Sequence, residues 1–285
     1  MGKLLLGFPN KIDVATLSGG SWETALPLIN LQTTTLRDVA RTVDTALTST
    51  TFDITFAHTE GPRCLGLFNH NLSLQATVRW IASNLADFSV LRYDSGELDA
   101  WPIVYPPSML RWEDQNWWDG RYNTTQREGY TPAHIIPMAT EVFAIYWRCI
   151  ISDVSNAAGH IDIGRVFIGP AHQPIINMSY GAAIMWEPNT KVQVYRQGAE
   201  EFDVRRACRV KTFALNNMLE DEALGWAFEL QRQAGIHGEV VYIEDPDDTW
   251  QAIRTRFLGR LRKLAPIENP MFGRHNTVFE IKERL

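Results

Sequence analysis

Apolar positions along this chain alternate with polar ones far more often than they recur at helical spacing. Phe52, Ile54 and Phe56 are separated by Asp53 and Thr55, and residues 65–68 and 76–81 follow as β-rich runs. Residues 142–147 and 161–168 repeat the pattern on either side of a turn-rich loop from Asp153 to Gly159. Period-two alternation sends successive side chains to opposite faces of a sheet, so these runs predict half-buried strands. Residues 12–171 therefore read as a β-sandwich.

One segment breaks the alternation. Leu219, Ala223, Trp226, Ala227, Leu230 and Ala234 recur at steps of three and four, and Gly235 follows as a helix stop. Asn217, three residues before Glu220, reads as a capping pair, so the pattern predicts a helix over 217–234. Beyond it, residues 239–243 read as a strand and residues 245–248 as an Asp-Pro turn. The next stretch fits a helical stripe through Trp250, Ile253, Phe257, Leu261 and Leu264, and it also fits strand alternation. Gly259 inside a helix would cost about 1 kcal/mol relative to Ala, which favours the strand. That strand would gather Arg254, Arg256, Arg260 and Arg262 on one basic face, either solvated or meeting acidic neighbours in an assembly. The ending, residues 277–285, alternates again and predicts a last strand that commits the C-terminus to a sheet.

A domain boundary is expected near residues 170–174, giving a first domain at 1–172 and a second at 173–285. The first contains an aromatic-rich insertion at about 98–137, with Trp101, Tyr105, Trp112, Trp117, Trp118, Tyr122 and Tyr130 among Glu113, Asp114, Asp119 and Arg121. A loop of that length is usually functional or disordered, and its aromatic content argues against disorder. Aromatics beside carboxylates can stack on sugar faces and bind hydroxyls. The same residues also serve interfaces and loops folded back on their own domain. Trp112, Trp117, Trp118, Tyr122 and Asp119 are the candidate ligand- or partner-binding residues.

Composition narrows the classes. With 285 residues, 45% hydrophobic and 21% charged, the chain is an ordinary globular one, and a formal charge of −6 gives no global reason to bind nucleic acid. Cys64, Cys149 and Cys208 lie far apart and read as buried thiols. No pair of histidines has metal spacing; His160 with Asp162 comes nearest and reads as a satisfied surface pair, so neither metal nor cofactor is expected. The opening, residues 1–9, is apolar but too short for a signal or membrane segment. No phosphate-binding loop or nucleophile elbow is present. Glu113, Asp114 and Asp119 are the sole acid-base constellation, and a non-enzymatic role is expected.

Taken together, the strand at 204–213, the helix, residues 240–243, the Asp-Pro turn, the basic strand and the ending from Asn276 to Leu285 resemble the tail-tube-like domain of tailed-bacteriophage minor tail and distal tail (baseplate) proteins. Residues 65–83 with 146–171 resemble a jelly-roll, or galactose-binding-like, domain. The fold class expected is mainly β: a jelly-roll-like sandwich followed by a tail-tube-like β domain with one packed helix. The resemblance implies a structural virion protein, made in the bacterial cytoplasm. It would form a hexameric or trimeric ring of its own copies between tail tube and baseplate hub proteins, without a membrane anchor. The alternative is a carbohydrate- or receptor-binding module on the tail that takes a host surface glycan.

Overall fold

The structure, a computed structural model, describes residues 3–285; Met1 and Gly2 of the apolar opening lie outside the described residues. The strands of the first half are β1 Leu5–Gly7, β2 Thr16–Ser18, β3 Ala40–Arg41, β4 Phe52–Glu60, β5 Cys64–His70, β6 Thr77–Ser83, β7 Leu91–Asp94, β8 Leu98–Asp99, β9 Ala133–Pro137 and β10 Ala144–Ser152. Those of the second are β11 Asp162–Gly169, β12 Ala171–His172, β13 Ala183–Glu187, β14 Lys191–Val194, β15 Glu200–Asp203, β16 Cys208–Met218, β17 Val240–Ile243, β18 Arg256–Leu261, β19 Glu268–Met271 and β20 Arg274–Glu283. All pairings between them are antiparallel. The protein is mainly β, with a jelly-roll-like sandwich in its first part.

Four layers stack on one another. A six-stranded sheet runs β2-β4-β10-β6-β7 with β8 beside β6, and it faces a four-stranded sheet, β3-β11-β5-β9. Phe52, Ile54 and Phe56 point between them onto Trp80, Leu65, Leu67, Val166 and Ile168, as the alternation predicts. The other face of the four-stranded sheet is also covered. Cys64, Phe68 and Phe167 leave it to meet Leu5, Val241, Ile243 and Leu258 of an eight-stranded sheet, β12-β1-β17-β18-β20-β16-β13 with β19 beside β20. Burial on both faces explains why β5 and β11 read as nearly unbroken apolar runs. The helix then covers the far face of the eight-stranded sheet, laying Ala223, Ala227, Leu230 and Ala234 on Phe213, Tyr242, Phe257, Phe279 and Ile281.

Three local expectations are corrected. Strand β1 lies in the second sheet, paired with β17 and β12, so a linear boundary at 172 does not separate the layers. The helix starts later than 217: Asn217 sits at φ +61° at the end of β16, its N–H donating to Asn276 Oδ1. A π-helical stretch, Asp221–Phe228, runs into α-helix Glu229–Ala234, and Gly235 at φ +51° ends it as expected. The ambiguous stretch resolves into both alternatives, a single helical turn at Ala252–Thr255 and then β18.

Two buried charge clusters fasten the structure, one between layers and one centred within the eight-stranded sheet. In β11, Arg165 is fully buried; it donates to Glu239 through Nε and Nη2 at 2.7–3.1 Å, to the Leu31 carbonyl at 3.1 Å, and pairs with Asp13 at 2.7 Å. Arg284 reaches the same Glu239 at 3.3 Å. In β16, Arg209 grips Glu283 of β20 at 2.5–2.8 Å, and Thr131 of the first unit donates to the same carboxylate at 2.9 Å. Burial alone would raise the Glu283 carboxyl, but Arg209, a backbone N–H and Thr131 hold it below its usual range. Among the described residues no helix is long and apolar enough to cross a membrane.

Removing one partner of such a pair leaves an uncompensated buried charge. Glu283→Gln should cost about 3–5 kcal/mol of unfolding free energy, and the Arg209→Met/Glu283→Leu double variant should recover most of it. The wild-type contribution is complete above the unfolded carboxyl's value of 4.5 and fades as pH falls through the lower folded value, a slope the double variant should lack. Urea titrations at several pH values measure both.

Candidate functional site

The aromatic segment at 98–137 divides into a packed part and an open part. Trp101 is buried against His70, ring to ring at 5.5 Å, and its Nε1 donates to the Leu72 carbonyl at 3.0 Å. Arg127 stacks over it at 4.9 Å. A short helix, Thr124–Arg127, is fixed by a capping box between Asn123 and Gln126. Tyr122, one of the five candidates, is buried too: its ring meets Tyr105 edge-on at 5.8 Å and its hydroxyl donates to the Trp250 carbonyl. Burial pushes its phenol up to about 12.

The remaining candidates stand outside this packing. Trp112 is 76% exposed and Trp118 87%, while Trp117 is half-buried with its ring edge-on to Trp118 at 4.7 Å. Gly120, at φ +61°, turns the chain back; a Cβ there would lie 2.6 Å from the Tyr105 carbonyl oxygen, so the turn demands glycine. The carboxylates serve that loop. Asp119 Oδ1 accepts from the Arg121 N–H at 3.1 Å and Asp114 Oδ2 from the Arg111 N–H at 2.7 Å. The structure thus brings Trp117, Trp118 and Asp119 to one exposed tip and sends Tyr122 inward.

The expected basic face is broken up, and Arg256 alone of its four arginines is buried. In β18, Arg256 shares its side of the strand with Leu258, which packs against the four-stranded sheet. Arg256 is buried, and its Nη2 donates to the carbonyls of Asp245, Pro246 and Asp248 at 2.8–3.0 Å, holding the Asp-Pro turn. Arg254 lies on the helical turn and bonds Gln251 at 2.8 Å; Arg260 bonds the Ile236 carbonyl at 3.2 Å; Arg262 pairs with Glu280 and, at 3.5 Å, with Glu187. All four are engaged within the chain, so the single outward basic surface is corrected to four separate local anchors.

A different surface is unpartnered. Strands β14 and β15 form a separate hairpin in which every residue is exposed, with Val192 opposite Phe202. Val192, Val194 and Phe202 share one face, and Val204 continues it at 81% exposure. Next to the hairpin, β13 pairs with β16 and leaves its other edge free, carrying half-exposed Ile184 and Met185 and Trp186, whose ring meets Tyr130 edge-on at 5.3 Å. At the opposite end of β16, the turn between β19 and β20 carries exposed Met271 and Phe272. Residues 191–195 read as a strand in the sequence, but its apolar face was not singled out, although Val192, Val194 and Phe202 in a largely polar setting were a visible signal.

Among the described residues no group of three His, Cys, Asp or Glu could hold a metal ion. His160 lies 3.6 Å from Asp162, whose carboxylate is already gripped by Arg41 at 2.7 and 2.9 Å. The three cysteines are buried and free, and burial pushes the Cys64 thiol up to about 12.

No protein-family model matches the chain, and no curated protein matches it in sequence. Among solved structures it is similar to CBM32-1 from a family 31 glycoside hydrolase of Clostridium perfringens, at 10% identity and a TM-score of 0.37 over 57% of this chain and 98% of that one. The family 32 carbohydrate-binding module of C. perfringens NanJ, in complex with galactose, gives 10% and 0.38 over 59% and 99%. A fucolectin from striped bass (Morone saxatilis) serum gives 8% and 0.36 over 96% and 93%.

Proposed function

We propose that this chain is a structural assembly subunit of the tailed-phage kind, working in a ring at the distal tail or baseplate and carrying no catalytic step. The observation that carries the assembly role is the β14–β15 hairpin. A lone two-stranded hairpin is marginal in water, and this one presents Val192, Val194, Phe202 and Val204 with nothing over them. An exposed apolar strip beside a free sheet edge is a surface for strand addition and burial. The occupant we assign is a second copy of the same chain, whose β13 edge and Ile184, Met185 and Trp186 offer both the backbone groups and the apolar area. Repeated head to tail, that contact closes into a ring when the rotation per subunit permits. The phage setting itself rests on the sequence resemblance of residues 204–285 to tail-tube-like domains.

A second reading is favoured by one observation, the open faces of Trp118 at the loop tip and of Trp112 earlier in the same loop. Exposed indole faces beside a carboxylate suit stacking on a sugar ring, so the tip would bind a host surface glycan while the second unit assembles.

Sedimentation velocity and negative-stain microscopy of the full chain at high concentration should reveal rings. Val192→Asp with Val194→Asp should leave a monomer with an unchanged circular dichroism spectrum; wild-type protein that stays monomeric, alone and with tail extracts, would sink the assembly role. Antibody labelling of virions should decorate the tail tip, and labelling confined to other sites would remove the phage setting.

On glycan arrays, any specific binding should fall by tenfold or more in Trp118→Ala while ring formation persists, given about 1–3 kcal/mol per aromatic stacking contact. Binding that survives both Trp112→Ala and Trp118→Ala would rule out the loop tip.

A further inference from the structure

Two buried imidazoles hold the root of the aromatic segment. His70, at the end of β5, is 4% exposed and His134 of β9 is 7% exposed. The His70 ring meets Trp101 edge-on at 5.5 Å, and its Nδ1 accepts from the Leu72 N–H at 3.3 Å, so its proton sits on Nε2. Leu72 closes the contact, since its carbonyl accepts from Trp101 Nε1 at 3.0 Å. His134 hydrogen-bonds the backbone of Ala100, the residue next to Trp101. In both rings Nε2 is buried without a partner. Ala100 and Trp101 are thus gripped by two imidazoles that gave up hydration to reach them.

The other side of the root is open. A cavity of about 570 Å³, lined by Trp101, Tyr122, His134 and Ile253 among others, lies where the segment meets β9 and the stretch from Pro246 to Arg256. Space on that side deprives the root of close packing, so its hold depends on the histidine side. Both rings are neutral as packed, because burial disfavours the imidazolium: it pushes His70 down to about 3 and His134 down to about 4. A proton on His134 also opposes one on His70. Among the charged neighbours, Asp99 of β8 favours a proton on His134 but is paired with Arg121 at 3.1 Å, and Glu97 lines the cavity. Arg127 over Trp101, Arg256 in the cavity wall and Arg206 at Thr131 oppose one. Asp153, after β10, is engaged by Ser73 and Asn156, and Asp162 of β11 by Arg41.

We infer that His70 and His134 form an acid-sensitive clasp on Ala100 and Trp101, which releases residues 100–130 as pH falls while the sheets stay folded. Release wets both rings. An imidazole in the open segment titrates near its ordinary 6.5, whereas in the closed one it stays neutral until well below that. Closure is therefore fully favoured above 6.5 and weakens as pH falls toward the lower folded values, by up to about tenfold per pH unit for each ring. Acid would free the tryptophan tip, whatever that tip binds.

Hydrogen exchange of the full chain, followed by mass spectrometry and corrected for the intrinsic rate at each pH, reads the opening directly. Between pH 5.5 and 4.5 protection across residues 100–130 should fall by roughly fiftyfold, from a level at least about a hundredfold below that of β4 and β10. His70→Phe and His134→Leu should each reduce that fall to about tenfold, and the double variant to under about threefold. A wild-type fall below about fivefold, protection equal to that of β4 and β10, or an undiminished pH dependence in folded variants overturns the clasp. The imidazole carbon signals of the wild type need no variant: rings still neutral at pH 5 support the clasp, and titration of either near about 6.5 overturns it.

Discussion

The architecture depends on two arginines placed where a sheet protein would normally put an aliphatic side chain. Arg165 and Arg209 are each about as buried as the phenylalanines around them, and each is neutralised by a glutamate distant in sequence, Glu239 and Glu283. Charges this deep are tolerable only when paired and hydrogen-bonded on all sides, which the Leu31 carbonyl, Thr131, Asp13 and Arg284 accomplish. Apolar contact between the four-stranded and eight-stranded sheets is non-directional and would permit sliding. The ion pairs are directional. Arg165–Glu239 fixes one register between the layers, whereas Arg209–Glu283 ties two neighbouring strands of the eight-stranded sheet and reaches the first unit through Thr131.

That constraint also explains the division of the surface. Because β5 and β11 are covered on both faces, and the helix covers the far side of the eight-stranded sheet, the apolar area of the layers is consumed internally. What remains open lies at the two extremities: the tryptophan tip of the 98–137 segment, and β13 with the β14–β15 hairpin. The junction between the units carries the cavity instead, since the aromatic segment and the Asp-Pro turn bridge it without filling it.

Much of the fold was legible from alternation alone. Phe52, Ile54 and Phe56 all face one core, and the helical stripe from Ala223 to Ala234 faces another. What escaped the sequence depends on contacts across long separations. Asn217 has the chemistry of a helix cap, but the bond to Asn276 holds it in the preceding strand in a left-handed conformation. Arg256 belongs to an apparent basic stripe, yet three carbonyls of a turn eight to eleven residues earlier fold it inward. Arg165 was not singled out either. It shares the run from Ile161 to Ile168 with Asp162, and the structure separates them: Asp162 meets Arg41 of the neighbouring strand, while Arg165 is half of a buried pair. For the candidate site, the cluster of aromatics was visible but its partition was not, because exposure of Trp118 and burial of Tyr122 are decided by the turn at Gly120 and by Trp250, which lies in the other unit.

The same junction bears on how the two extremities work together. Glu283 and Arg284 sit at the end of β20, whose central residues pair with β16, the strand that carries β13 on its far edge. Thr131, which binds Glu283, closes the aromatic segment just before β9. A continuous path of backbone pairing and charge-assisted hydrogen bonds therefore runs from the free β13 edge to the base of the tryptophan loop. Short, charge-assisted contacts have little give, so the loop tip is held at a fixed position relative to the strand edge and is not free to swing as a tethered module. For a subunit repeated around an axis, that rigidity converts one interface geometry into one radial placement of every tip. A flexible linker between the two units would have left that placement undefined.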